Sequence, residues 1–310
     1  MSKILITGAN SMVGKSIIRN SHLFNHELIP DDKKEFNLLD RYQTELLFER
    51  HRPDYVIHLA SVNGNISYNN KYPSDIFLST TKIAENVITT SYKFGVKKVI
   101  SAISSCAYPD GKSLLVEEEF FDGPPHTSVE SHGFAKRYII ELNRQLFKQF
   151  GFVSVGMCFN TCYGPEDSFD LNKTKVLGSL IKKFSDAKNE NASEVILWGT
   201  GNVSREFIYV DDVAYMFKLV IDKYSNPLYP INVGSGKEIS ISTLSKLVSG
   251  IVGYKNKITF DSSKPDGQKS KLLSNENMQK YFGQQNFVSL EDGIKRTVDW
   301  YESKYHSSFY

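Results

Sequence analysis

Cysteine is scarce in this chain: three among 310 residues, Cys106, Cys158 and Cys162. Three make no even disulfide set, and their spacing matches no metal-ligand pattern. That argues against a disulfide-stapled secreted scaffold and against a metal centre, and it fits a reducing, cytoplasmic compartment. Charge of one sign is lacking too. Lysine and arginine number 37 against 35 acidic residues, a net +2 with a pI near 8.2, too weak a field to imply nucleic acid. No run approaches the ~20 apolar residues of a membrane helix. The opening Met1-Ser2-Lys3-Ile4-Leu5-Ile6 reads as a short strand rather than a signal peptide, because glycine-rich sequence follows at once. Internal repeats and low-complexity stretches are absent. With 40% hydrophobic and 23% charged residues the chain can bury a sizeable core, in one large or two interlocked domains.

Short apolar runs alternate with amphipathic stretches. Residues 3–6, 27–29, 55–59, 98–103 and 153–158 predict strands, with helices over 13–20, 42–50, 76–94 and 134–150. Such alternation predicts an α/β fold: a Rossmann-type, doubly wound parallel sheet whose ligands lie beyond the carboxyl ends of the strands. Further on, helices are expected over 176–187, 211–224 and 242–252, and strands over 195–198, 205–210 and 231–233. The expected division is a dinucleotide-binding domain (1–165 plus about 205–235) and a smaller discontinuous α/β domain (about 166–204 plus 236–310) for a sugar nucleotide.

Thr7-Gly8-Ala9-Asn10-Ser11-Met12-Val13-Gly14 follows the first strand and opens the first helix. Glycine permits the tight turn and brings backbone N–H groups close to a pyrophosphate, and a helix N-terminus favours its charge. The three-glycine fingerprint is only partly present; position carries the reading. Gly8, Asn10, Ser11, Met12, Val13 and Gly14, with Leu59 and Ala60 at the end of the third strand, are the expected cofactor contacts. Asp31, just past the second strand, can bond adenosine ribose hydroxyls and favours NADH, whereas Lys33 and Lys34 can neutralise a 2′-phosphate and favour NADPH. A merely solvated charged turn fits equally well. Asp40 is a further adenine-side candidate.

Later landmarks are Asn69-Asn70-Lys71-Tyr72-Pro73, Ser104-Ser105-Cys106-Ala107-Tyr108-Pro109, Tyr163-Gly164-Pro165, Trp198-Gly199-Thr200-Gly201, Arg205-Glu206-Phe207-Ile208-Tyr209-Val210-Asp211-Asp212, Ile231-Asn232-Val233-Gly234 and Ser263-Lys264-Pro265-Asp266-Gly267. With the glycine loop they span nearly the whole chain, which resembles the extended short-chain dehydrogenase/reductases and, within them, the GDP-L-fucose synthases. The resemblance implies a nicotinamide cofactor (NADPH in that group, NADH the alternative), a GDP-linked 4-keto sugar (6-deoxyhexose or heptose) destined for surface polysaccharide, and a homodimer built on helices such as 76–94 and 134–150.

In that family a Ser and a Tyr bond the keto oxygen, and a Lys four residues after the Tyr polarises it. Ser104 takes the Ser position and Lys136, which also holds the nicotinamide ribose, takes the Lys position. The Tyr position holds His132. An imidazole can be a working acid, an orienter beside water, or the mark of a degraded site. Tyr108 and Lys112 share the Tyr-to-Lys spacing, but Pro109-Asp110-Gly111 between them is a turn, so the pair is no dyad, although Tyr108 could still line the pocket. The resemblance also places Arg205, Lys271, Lys183, Trp198 and Ser105 on the substrate. Cys106 stands where the family's epimerising Cys belongs, while Lys175 replaces its His partner. That change predicts reduction without inversion at C3 or C5. Ser105-Cys106 also stands where dehydratases carry Asp-Glu. The competing readings are a bifunctional epimerase/reductase, another sugar-nucleotide epimerase and a non-catalytic nucleotide-binding protein.

Overall fold

The computed structural model describes residues 1–305 except 32, 65, 172, 173, 265 and 267. Strands β1 (Lys3–Thr7), β2 (Glu27–Pro30), β3 (Tyr55–His58) and β4 (Lys98–Ser104) come first, and a short β5 (Leu114–Leu115) follows. Then come β6 (Ser154–Phe159), β7 (Thr161–Tyr163), β8 (Glu194–Trp198), β9 (Ser204–Tyr209), β10 (Ile231–Val233), β11 (Glu238–Ser240), β12 (Lys257–Asp261) and β13 (Leu272–Leu273). The helices are α1 (Met12–Arg19), α2 (Arg41–His51), α3 (Ile66–Lys71), α4 (Pro73–Lys93), α5 (Glu130–Phe150), α6 (Val176–Asn189), α7 (Val210–Lys223), α8 (Ile241–Val252), α9 (Glu276–Phe282) and α10 (Leu290–Tyr305).

Six strands form one parallel sheet in the order β2-β1-β3-β4-β6-β10. Except on the edge strand β2, their side chains are largely buried on both faces, as a sheet covered by helices on either side requires. One core packs β1, β3, β6 and β10 against α1 and α7, with Ile6, Ile57, Met157 and Phe217 at its centre. The other packs Leu5, Val56 and Val99 against α2, α4 and α5 through Leu47, Val87 and Ile139. Chain order reverses between β1 and β3, so their carboxyl ends part and leave the crevice in which such sheets hold ligands.

A third core gathers the chain between Tyr163 and Tyr301, with α6, α8 and α10 around Phe184, Leu244 and Val298. Short sheets fringe it: β11-β9-β7 and β12-β8, the second parallel. The strand predicted over 205–210 is present as β9, in the β11-β9-β7 sheet, whereas α3, α9, α10 and the short strands β5, β7, β11, β12 and β13 went unpredicted. No helix among the described residues is long and apolar enough to cross a membrane.

Candidate active site

The loop after β1 is built for close approach. Gly8 has φ +74°, and a Cβ there would lie 2.8 Å from the Ala60 nitrogen. At Gly14 a Cβ would lie 2.6 Å from the Ala9 carbonyl oxygen, so only glycine lets α1 start this close to the turn. Ser11 caps α1 by accepting from the Gly14 N–H at 3.1 Å. The first-turn amides of Met12 and Val13 have no acceptor within the helix, as at any helix start, and with the helix dipole they form an anion seat. The Leu59 and Ala60 backbone packs against Gly8.

Asp31 corrects one expectation. It is buried, and its carboxylate accepts from the Gly8 and Ala9 amides at 2.9 Å each, so it braces the loop from below rather than extending towards a ribose. Lys33 stays exposed beside it. Asp40 is the N-cap of α2, accepting from the Gln43 N–H at 3.0 Å.

Ser104 ends β4 at the centre of the sheet, and α5 runs alongside with His132, Ala135, Lys136 and Ile139 on its buried face. That spacing sets His132 and Lys136 one turn apart and facing the same way. Gly133 allows the fit, because a Cβ there would lie 2.5 Å from the Cys106 carbonyl oxygen. Lys136 is 4% exposed, donates to the Ala102 carbonyl at 2.8 Å, and burial pulls its ammonium down from 10.5 to about 8. His132 is 3% exposed. Burial first, then the Lys136 and Lys175 charges, hold its imidazole at about 3, against a smaller opposing pull from the Val62 backbone. Its Nδ1 is buried without a hydrogen-bond partner among the described residues.

A cleft of about 670 Å³ opens over these groups. Its lining includes Ser104, Ser105, Cys106, His132, Lys175, Lys183, Trp198, Arg205 and Lys271, so the predicted catalytic and substrate residues converge except for Lys136. Lys136 lies behind, against β4. The wall contributed by the third core is cationic: Lys175, Lys183, Arg205 and Lys271 against Asp266, whose carboxylate is bonded to Thr200. Burial lowers the Arg205 and Lys183 pKa values. Trp198 is 66% exposed at the rim, with the Lys264 ammonium 5.7 Å from its ring centroid. Pro265 and Gly267, from the last family landmark, lie outside the described residues.

The Lys271 ammonium lies 3.6 Å from the Cys106 sulfur. Burial works to raise that thiol, but Lys271, the Ser104 hydroxyl and Lys175 together bring its pKa below the ordinary value. Sequence reasoning missed what holds Lys271 in place. Glu206 is fully buried; it accepts from Asn160 Nδ2 at 2.7 Å, the Gly236 N–H at 2.7 Å and the Leu273 N–H at 3.1 Å, and Asn160 in turn donates to the Lys271 carbonyl. Tyr108 is a second correction. It is 2% exposed, donates to Asn232 Oδ1 at 2.7 Å and does not line the cleft. Asn63, Ser67, His126 and Ser128 line the cleft and were missed, because polar loop residues without a motif carry no signal in one sequence.

Residues 4–234 match the model of the NAD dependent epimerase/dehydratase family. The chain belongs to that family, the extended short-chain dehydrogenase/reductases. Within it, the chain is 34% identical over 304 residues to a probable GDP-L-fucose synthase 1 of Oryza sativa subsp. japonica, covering 96% of this chain and 92% of that one. A GDP-L-fucose synthetase from Naegleria fowleri bound to NADP superposes with TM-score 0.91 at 29% identity, over 99% and 94% of the two chains. A GDP-6-OMe-4-keto-L-xylo-heptose reductase from C. jejuni superposes with TM-score 0.90 at 26% identity, over 98% of each.

Proposed function

We propose that this epimerase/dehydratase-family enzyme is an NADPH-dependent reductase acting at C4 of a GDP-linked 4-keto sugar. One observation carries the reading: a single cleft is lined by Ser104 and His132, with Lys136 behind them, and by four cations. The diphosphate pairs with Arg205, Lys183 and Lys271, and Trp198 offers its face to the base. The glycine cradle and the α1 N-terminus fit a dinucleotide pyrophosphate, and Lys136 takes the position that holds the nicotinamide ribose in the family the chain resembles. With Asp31 committed to the loop and Lys33 exposed, the adenosine end tolerates a 2′-phosphate, which supports NADPH over NADH. The division of labour follows the two halves, residues 1–165 and about 205–235 for the cofactor and the remainder for the sugar nucleotide.

Bound NADPH supplies a hydride to the ketone carbon. The protein manages the oxygen. The Ser104 hydroxyl donates to the ketone oxygen, and the Lys136 ammonium behind it is the proton source as the alkoxide develops. His132, neutral at physiological pH, is a hydrogen-bonding orienter rather than an imidazolium acid. Loss of NADPH absorbance with a GDP-4-keto sugar tests the reading; absence of turnover with every GDP-4-keto sugar would remove it.

Inversion at C3 or C5 is not part of this reading, because Lys175 stands where the paired acid–base group would be. The lowered pKa of Cys106 beside Lys271 favours a second reading, an epimerase/reductase. Turnover in D₂O separates the two: inverted, deuterated C3 or C5 supports the second. The homodimer is proposed on the outer faces of α4 and α5, where Leu78 (63% exposed), Phe77, Phe134 and Phe147 stand in solvent.

A further inference from the structure

One side of the cleft has a chemistry of its own. It is formed by the segment after β3 (Asn63 and Ser67), the end of β4, and the stretch leading into α5 (His126 and Ser128). Among its described lining residues there is no carboxylate, ammonium or guanidinium, and Val129 is its aliphatic group.

Two of its polar side chains, His126 and Asn63, are oriented by local hydrogen bonds. His126 Nδ1 accepts from the Ser128 N–H at 3.2 Å and pairs with Ser128 Oγ at 2.8 Å. With Nδ1 an acceptor, the ring proton resides on Nε2, which remains a donor. Asn63 Oδ1 accepts from the Gly64 N–H at 2.8 Å, leaving its amide N–H groups as donors. His132, 97% buried on the same wall, keeps its Nδ1 without a partner among the described residues. The segments that carry the two imidazoles pack closely: a Cβ on Gly133, next to His132, would lie 2.8 Å from Cβ of Pro125, next to His126, and both histidines line the cleft. Neutral donors beside a buried imidazole with one unpartnered nitrogen suit hydroxyl groups, which donate and accept at once.

The ligand pose follows from the reading above, on which this inference rests. With the diphosphate on C1 at the cationic wall and C4 at Ser104, the substituents flanking C4 face this neutral wall. In a 6-deoxyhexose the group on C5 is a methyl; in a heptose it is a two-carbon chain with two hydroxyls. A methyl would leave these polar groups desolvated and unpaired, which sites built for hydroxyls penalise. We propose that this wall is a subsite for a hydroxylated exocyclic chain, making a GDP-linked heptose the preferred sugar over a GDP-linked 6-deoxyhexose.

Titration calorimetry of the full chain with GDP-mannoheptose and GDP-6-deoxymannose, neither of which needs turnover, tests this. The heptose is expected to bind about tenfold more tightly, the worth of one good hydrogen bond at a half-exposed site. H126F should abolish most of that preference, and H126Q, whose amide N–H reaches towards the Nε2 position, should retain it. Equal affinities, tighter binding of the 6-deoxy sugar, or a preference untouched in H126F would overturn the subsite. The preference without any NADPH oxidation by 4-keto sugars would keep the subsite and remove the reductase reading. Turnover without the preference would do the reverse.

Discussion

At position 132 the family's phenol is replaced by an imidazole, and burial decides what that imidazole can do. Held at about 3, it carries no proton to give at neutral pH, whereas Lys136 at about 8 does. The pH dependence follows from the signs. Lys136 is charged below about 8 and neutral above it, so kcat/KM should fall as pH rises through about 8, with no limb near 6.5 from His132. A limb near 6.5, lost on replacing His132, would restore the imidazolium acid. Lys136→Met should slow reduction by roughly 10²–10⁴-fold. His132→Tyr should retain activity, because Lys136 already supports a phenol, and the single-turnover rate of that variant measures it. The spacing to Lys136 and the replacement of Tyr by His were legible in the sequence. The protonation state was not, because it depends on burial by segments far away in the chain.

At the scale of elements, the β1–α1 loop and α5 were legible because their signals are local: glycines after an apolar strand, and a helical repeat of buried residues ending at Gly151. Gly14→Ala sets a Cβ against the Ala9 carbonyl, so NADPH affinity by fluorescence titration should drop at least about tenfold. The second element-scale device was not legible. Glu206 sits inside a motif that reads as strand, yet its carboxylate ties the β6–β7 junction, the β10–β11 loop and β13 together, and Asn160 passes that tie to Lys271. Glu206→Gln should loosen Lys271 from Cys106. The pH profile of Cys106 alkylation should then shift to higher pH, which a general loss of stability would not produce. An unshifted profile in a folded variant would separate Glu206 from Lys271.

Across the whole molecule, the parallel sheet was legible because a buried strand followed by an amphipathic helix repeats from residue 3 to 159. The fringe sheets were not, since pairings such as β12 with β8 and β13 with β5 join segments distant in sequence through two to five residues each. The proposed cofactor and sugar sites meet at the crevice between β1 and β3 and the cleft beside it, at the cost of burying two neutral histidines there. His58 is held at about 3, like His132, by burial first and then by the Lys136 charge. Both folded values lie below the ordinary 6.5, so the unfolded chain binds more protons between these limits. Their stabilising contribution is present above 6.5 and is lost as pH falls towards 3. Tm by scanning calorimetry should therefore fall steadily from about pH 6.5 to about pH 4, and His58→Gln should flatten the slope. In the proposed reduction the hydride goes to C4 of the sugar. Turnover of a GDP-4-keto sugar with NADPH deuterated at the nicotinamide C4, followed by NMR of the product, shows where it lands. One deuterium is expected, on C4 of the sugar, with C3 and C5 keeping their configuration; a product with no deuterium at C4, or with inverted C3 or C5, would overturn the proposed reduction.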